Sequence, residues 1–309
     1  MPTVVNSGNT PQVETSVDVK AQPSVVNNPT PQERADLASR IHVNQIVDAE
    51  VPIVVFVGPP ASGKSMILVR MAKYLRTLGY KIETDDTFLN DTQYVEDCKE
   101  FNDKLNTSIA LDGTVKYLLV NVYDTDGNLK AKLLEAPGED FYDTDPTTAK
   151  ENNNRLLPYL ATIMTSPNPK SYVVLLDLDS EVSFRRDSYH RDSYTTRFLR
   201  DFYPNINGAN DRIILLYNKI DLTKFGNINE CTNIKAARKD AELNYKTLFA
   251  SMKIAKLGGF VTFDNFEFLT FCTGMFSPTT DAYGKKIQTY NVAKDIYPET
   301  LWHEITRKW

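Results

Sequence analysis

The chain has 309 residues, 41% of them hydrophobic, enough to bury a substantial core. Its 40 acidic residues outweigh 35 basic ones and give a net charge of -5, which excludes an overall basic field drawing it to nucleic acid or anionic lipid and leaves only local patches for such contacts. Three scattered cysteines, Cys98, Cys231 and Cys272, lack the C-x-x-C pairing of zinc or redox sites, and their odd count argues against a disulfide framework, so a reducing, cytoplasmic setting is expected.

In chain order, the opening MPTVVNSGNT lacks a basic region followed by an apolar core, and runs such as Val51–Val57 are too short to cross a bilayer; a non-secreted protein with no membrane span is expected. Residues 1–29, rich in Pro, Asn, Thr, Val and Gln without a sustained period, read as a flexible arm. At Thr30 the pattern changes. Thr30 as N-cap, Pro31 at the first helical position and Glu33 three residues after the cap form a capping box, opening a helix that carries Leu37, Ile41 and Val47 through a leading segment, 30–50.

From residue 51, short β-branched runs alternate with helical stretches, the pattern of a parallel sheet with crossover helices. Strands are expected at 51–57, 115–123, 129–135, 171–177, 211–217 and 265–271. Helices are expected at 63–78, 147–164, 182–201, 232–257 and near 298–308, with a small inserted helix where Tyr94, Val95, Cys98, Phe101 and Leu105 keep helical spacing. Thr125-Asp126-Gly127-Asn128 supplies a turn that makes the second and third strands an antiparallel hairpin at one sheet edge. The expected fold is three-layer α/β, a mostly parallel six-stranded sheet with one antiparallel edge strand. Residues 51–275 form the main domain, and 276–309 are an extension ending in a helix.

Gly58-Pro59-Pro60-Ala61-Ser62-Gly63-Lys64-Ser65 matches G-x-x-x-x-G-K-[ST] between the first strand and the first long helix. Successive backbone N–H groups and the positive helix end suit a β-phosphate; Gly63 permits close approach, Lys64 reaches β- and γ-oxygens and Ser65 can ligate Mg²⁺. The cradle does not choose the base, and an ATP-using enzyme or kinase stays open at this point. Asn218-Lys219-Ile220-Asp221 follows the strand ending at Tyr217. A carboxylate there accepts from guanine N1–H and its 2-amino group, whereas adenine would leave it unpaired.

Cradle and base reader together resemble the P-loop GTPase superfamily, in its translation-factor-like class, with a divergent bacterial-type member the nearest likeness over about 51–275. The resemblance implies GTP or GDP as ligand, Mg²⁺ as cofactor, hydrolysis by an in-line water and a switch read by a protein effector or regulator. It gives Lys219 to the base face and Asn218 to a tie between the two loops, and it puts Thr273, in Phe271-Cys272-Thr273-Gly274, at the guanine O6 contact.

Glu135-Ala136-Pro137-Gly138 resembles the D-x-x-G segment, with Glu135 toward Mg²⁺ and the Gly138 amide toward the γ-phosphate. Glu139 takes the place of the usual water-orienting residue, which leaves three roles open: a general base, a structural acceptor or a mark of slow turnover. A pseudo-GTPase that binds without hydrolysing is therefore a second reading. The connection 80–114 reads as an extended first-switch insertion, with Thr107 as the Mg²⁺-binding Thr and Thr114 as substitute. Arg185, Arg186, Arg191, Arg197 and Arg200 alternate with Asp187, Asp192 and Asp201 and read as a mixed-charge helix surface.

Overall fold

The computed structural model describes residues 30–46, 48–110, 117–141, 156–176, 188–256 and 261–307. The arm at 1–29, Val47, Thr114, Arg185, Arg186, Asp187 and the opening parts of the helices expected from 147 and 182 lie outside the described residues.

The leading helix, α1 (Pro31–Ser39), opens on the expected box, with Thr30 accepting from the Glu33 amide and Glu33 accepting from the Thr30 amide. β1 (Ile53–Val57) follows, then α2 (Lys64–Thr77), β2 (Lys81–Thr84), α3 (Thr92–Lys104), β3 (Leu118–Tyr123) and β4 (Leu129–Glu135). The chain continues through α4 (Pro158–Thr165), β5 (Lys170–Leu176), α5 (Ser188–Arg197) and β6 (Asp211–Tyr217) to α6 (Ile234–Asn244), α7 (Lys246–Ser251), β7 (Lys253–Lys256) and β8 (Val261–Asp264). It ends with β9 (Glu267–Thr270), β10 (Gly274–Thr280), β11 (Lys286–Val292) and α8 (Ile296–Thr306).

The central sheet has seven strands in the order β2-β3-β4-β1-β5-β6-β9. Only β3 runs against the rest, pairing antiparallel with both β2 and β4, so the mostly parallel sheet with antiparallel pairing toward one edge is as expected. The additional strand is β2, which displaces the β3–β4 hairpin from the edge by one position. Lys81-Ile82-Glu83-Thr84 has a single buried apolar residue and could not be read as a strand from hydrophobic pattern.

Every residue of β1 and β5 is buried. Because alternate strand residues point to opposite faces, both faces of the sheet centre are covered, giving three layers. α2 packs on β2, β4 and α8; α3 packs on β2 and β3. Among the described residues no helix is long and apolar enough to cross a membrane.

Two expectations are corrected. The helix expected over 232–257 breaks at Tyr245 (φ -121°, ψ 40°) into α6 and α7, and 253–256 is a strand paired with β8. The extension after 275 contains the β10–β11 hairpin as well as the terminal helix. β10 is exposed at every residue after Gly274, Met275 and Phe276 included, and β11 buries only Tyr290, so no apolar period marks the hairpin in the sequence.

Candidate functional site

β1 is flanked by β4 on one side and β5 on the other, the point at which the strand order switches, and ligands in open α/β sheets sit beyond the strand carboxyl ends there. The loop 58–65 lies at that point. Gly63 caps α2 with φ 95°, and a Cβ on it would stand 2.7 Å from Asn218 Nδ2, so both its backbone angle and its neighbour require glycine. Ala61 also has positive φ, 54°, which costs a residue with a side chain about 1–2 kcal/mol. Lys64 is buried and folds back on its own loop, donating to the carbonyls of Gly58 (3.0 Å) and Pro59 (3.1 Å). Tyr194 on α5, buried, donates its hydroxyl to the Val57 carbonyl at 3.0 Å and so fixes the strand end from which the loop departs.

β4 delivers the second segment. Its register against β1, Phe56 opposite Glu135, brings the Glu135 carboxylate to Ser65, whose hydroxyl donates to Oε1. Glu135 is 3% exposed. Three residues on, the chain turns onto the cradle itself: a Cβ at Gly138 would lie 2.1 Å from Pro60 N and 2.5 Å from the Pro59 carbonyl carbon. Glu139 follows, half-buried, with no hydrogen bond or ion pair among the described residues.

Asp140 anchors this turn. It is buried, accepts from Tyr159 (2.7 Å) and Tyr117 (3.1 Å) and faces Arg34 of α1 at 4.0 Å. Burial pushes its carboxyl up to about 6, against the opposing pull of the two hydroxyls, Arg34 and Arg197.

β6 delivers the third segment, and side chains tie it to the cradle. Asn218 Nδ2 donates to the Ser62 carbonyl at 2.9 Å, and Lys219 Nζ donates to the Ala61 carbonyl at 3.3 Å, with Lys219 itself in the left-handed region at φ 57°. Asp221 opens toward the loop after β9, where the Cys272 thiol donates to its Oδ1 at 3.1 Å. Burial, with the Asp221 carboxylate adding to it, holds that thiol well above the usual range. Thr273 is buried, and its carbonyl accepts from Ala293. Two polar atoms enclosed in this contact, Ser62 Oγ and Asn218 Oδ1, have no hydrogen-bond partner among the described residues.

The structure thus brings together Gly58 through Ser65, Glu135, Gly138, Asn218, Lys219, Asp221 and Thr273. Thr107 makes no hydrogen bond with any of these among the described residues. Thr107 is exposed, and its carbonyl accepts from the ammonium of Lys73, which lies two turns along α2 from Ser65. The cause is non-local: Ala110 donates to Gln288, Tyr290 donates to Ser108, and Ile109 bridges Thr289, so 108–110 is drawn along β11. Of the arginines, Arg200 is exposed and pairs with Asp201, whereas Arg197, with its side chain 11% exposed, pairs with the same carboxylate away from solvent and is not part of a solvated surface. Sequence reasoning missed Tyr194, Asp140 with its tyrosines, and Cys272 as a partner of Asp221, because each acts through a residue far away in sequence and none carries a local motif.

Among the described residues there is no group of three His, Cys, Asp or Glu that could hold a metal by itself. Ser65 and Glu135 offer two adjoining oxygens, a set that suits Mg²⁺, which commonly takes one or two protein oxygens and completes its shell with phosphate and water.

No protein-family model matches the sequence, and no curated protein does. Among solved structures, the chain is similar to one described as nucleolar GTP-binding protein 1 of Plasmodium falciparum, at 14% identity over 73% of this chain and 79% of that one, TM-score 0.35. It is also similar to the Ski7 GTPase-like domain of S. cerevisiae, bound to GDP and inorganic phosphate, at 16% identity over 75% of this chain, TM-score 0.39. The chain spans 45% of that second structure's length.

Proposed function

We propose that the chain binds a guanine nucleotide with Mg²⁺ and hydrolyses GTP slowly to GDP and phosphate, with the segment 135–141 responding to the γ-phosphate. One observation carries the reading: the loop 218–221 is tied to the phosphate loop through Asn218 to Ser62 and Lys219 to Ala61, which supports a phosphate cradle and a base-selective carboxylate acting on one nucleotide. Ser62 Oγ and Asn218 Oδ1, enclosed and without a hydrogen-bond partner among the described residues, support a binding role, since each such atom costs about 1–3 kcal/mol where no ligand or water satisfies it.

The residues divide the work. Backbone N–H groups of 58–65 and the positive end of α2 receive the β-phosphate, and Lys64 exchanges its two loop carbonyls for phosphate oxygens. Ser65 and Glu135 hold Mg²⁺, which when bound neutralises charge on the β- and γ-phosphate oxygens. Gly138, packed on Pro60, offers its amide to the γ-phosphate, and Glu139, free of other partners among the described residues, accepts from the attacking water. Asp221 accepts from the guanine edge, with Cys272 orienting it and the Thr273 backbone beside it.

Asp221→Asn should weaken GTP binding about ten- to a hundredfold, the cost of mispairing a buried polar edge, and improve binding of xanthosine nucleotides. Competition among GTP, ATP and xanthosine triphosphate reads this directly; an unchanged GTP preference removes the base assignment, and ATP preference makes the protein an adenine-nucleotide enzyme. Sustained phosphate release that disappears in Lys64→Ala establishes turnover. GTP binding without release makes the protein a binding module.

A further inference from the structure

Asp140 joins the turn on the cradle to the leading helix. Arg34 Nε of α1 faces its Oδ1 at 4.0 Å, with the two side chains 14% and 2% exposed, and Tyr159 of α4, the helix on which α1 packs, donates to its Oδ2 at 2.7 Å. Two residues before Asp140, a Cβ on Gly138 would stand 2.1 Å from Pro60 N, so the Gly138 Cα is itself in van der Waals contact with the phosphate loop. The seating of this turn and the docking of α1 share one buried carboxylate.

α1 does not hold itself. At nine residues it is shorter than a helix that persists alone in water. Between Gln32 and Ile41 only Ala38 and Ile41 are buried, with Leu37 half-buried. Its C-terminal end is pinned by backbone pairing, His42 donating to the Phe88 carbonyl at 2.8 Å and Ile41 bridging Leu89, and by Arg40 with Asp91 at 3.3 Å. Nearer its start, the charge contact is Arg34 with Asp140. A displacement of Asp140 therefore loosens the first turns of α1 while the end beside Phe88 stays in place.

We infer that α1 is a latch that reads the occupant of the cradle, holding the 138–141 turn down on Pro59 and Pro60 when a nucleoside diphosphate is bound and loosening when a triphosphate is bound. On the nucleotide reading proposed above, which this inference requires, the γ-phosphate meets the Gly138 amide. No phosphate oxygen fits between Gly138 and Pro60 as they stand, so a γ-phosphate there lifts the turn, carries Asp140 with it and draws the carboxylate away from Arg34. Linkage makes the effect reciprocal: the factor by which a triphosphate loosens α1 is the factor by which docked α1 weakens triphosphate binding relative to diphosphate. Arg34 is a positioning residue, acting through Asp140.

Hydrogen exchange of the full chain, followed in peptides covering 31–42 with saturating GDP or with the β,γ-imido analogue of GTP, reads the latch without any substitution. Exchange about tenfold faster with the analogue is expected over 31–38, and the same rate in both states at 41–42. In Arg34→Ala the affinity for the analogue relative to GDP should rise by about the same factor, and Arg34→Lys, which keeps the charge, should fall between the two; a loss of folding alone would weaken both nucleotides alike. Equal exchange of α1 in the two states, or an unchanged affinity ratio in Arg34→Ala, overturns the inference. The base assignment is read separately, since a chain that selects adenine nucleotides is compared with ADP and the corresponding ATP analogue and the latch stands or falls on that ratio. Binding of no nucleotide at all removes both readings.

Discussion

At Gly138 a hydrogen atom stands where any other residue would place a carbon 2.1 Å from the Pro60 nitrogen. The contact is backbone on backbone, so relief requires the loop 136–141 or the cradle to move, unlike a clash with the far end of a flexible side chain. Gly138→Ala is expected to cost about 1–3 kcal/mol of stability, the usual penalty of overpacking, and to lower nucleotide affinity more than a surface Gly→Ala at Gly208, which has open space around it and no positive φ. Paired urea unfolding and nucleotide titration check this; equal effects at the two positions would show that 138 does not bear on the cradle. Gly63 obeys a second constraint, its positive φ, which the motif spacing announces and the Asn218 contact explains.

Between elements, the segment after Gly138 is held by groups from three directions: Tyr117 before β3, Tyr159 on α4 and Arg34 on α1 all converge on Asp140. Burial raises this carboxyl to about 6. The folded chain therefore binds the Asp140 proton more tightly than the unfolded chain, where the ordinary value is 3.8. Above about pH 6 the desolvated anion detracts from stability, and that deficit fades as pH falls toward 4. Asp140→Asn keeps the shape and removes the titration. The stability difference between wild type and variant should shift in favour of wild type as pH falls across this window, measured by denaturant unfolding at several pH values; a pH-independent difference would place the titration elsewhere. The hydroxyls stay protonated throughout, since burial raises both tyrosines well above their usual range.

For the whole molecule, the C-terminal extension belongs to the core. Leu301 and Ile305 are fully buried, α8 packs on α2 and β9, and the buried Arg70 of α2 donates to the Ala293 carbonyl and pairs with Asp295. Ending the chain at Lys294 removes the buried Tyr297, Leu301, Trp302 and Ile305, of which Leu301 and Ile305 alone are worth about 3–6 kcal/mol, a large share of an ordinary folding free energy, and leaves Arg70 buried without its carboxylate. Thermal unfolding of the shortened chain should fall steeply or the chain should not accumulate folded; an unshifted midpoint would make the extension dispensable.

Amino-acid order alone determined the features whose physics is local. The cradle and its helix are one contiguous segment, the turn at 125–128 is four residues, and the β-branched runs of β1, β5 and β6 are continuous because both their faces are buried, so hydrophobic pattern located them to within a residue or two. Only the tertiary structure decided what depends on partners distant in sequence. Thr107 is drawn off by a strand nearly two hundred positions later, β2 exists because β3 accepts its edge, and Asp140 acquires its character from burial that no neighbour in the chain announces. Backbone pairing and desolvation are properties of what lies alongside in space, and a single sequence without its fold does not contain that adjacency.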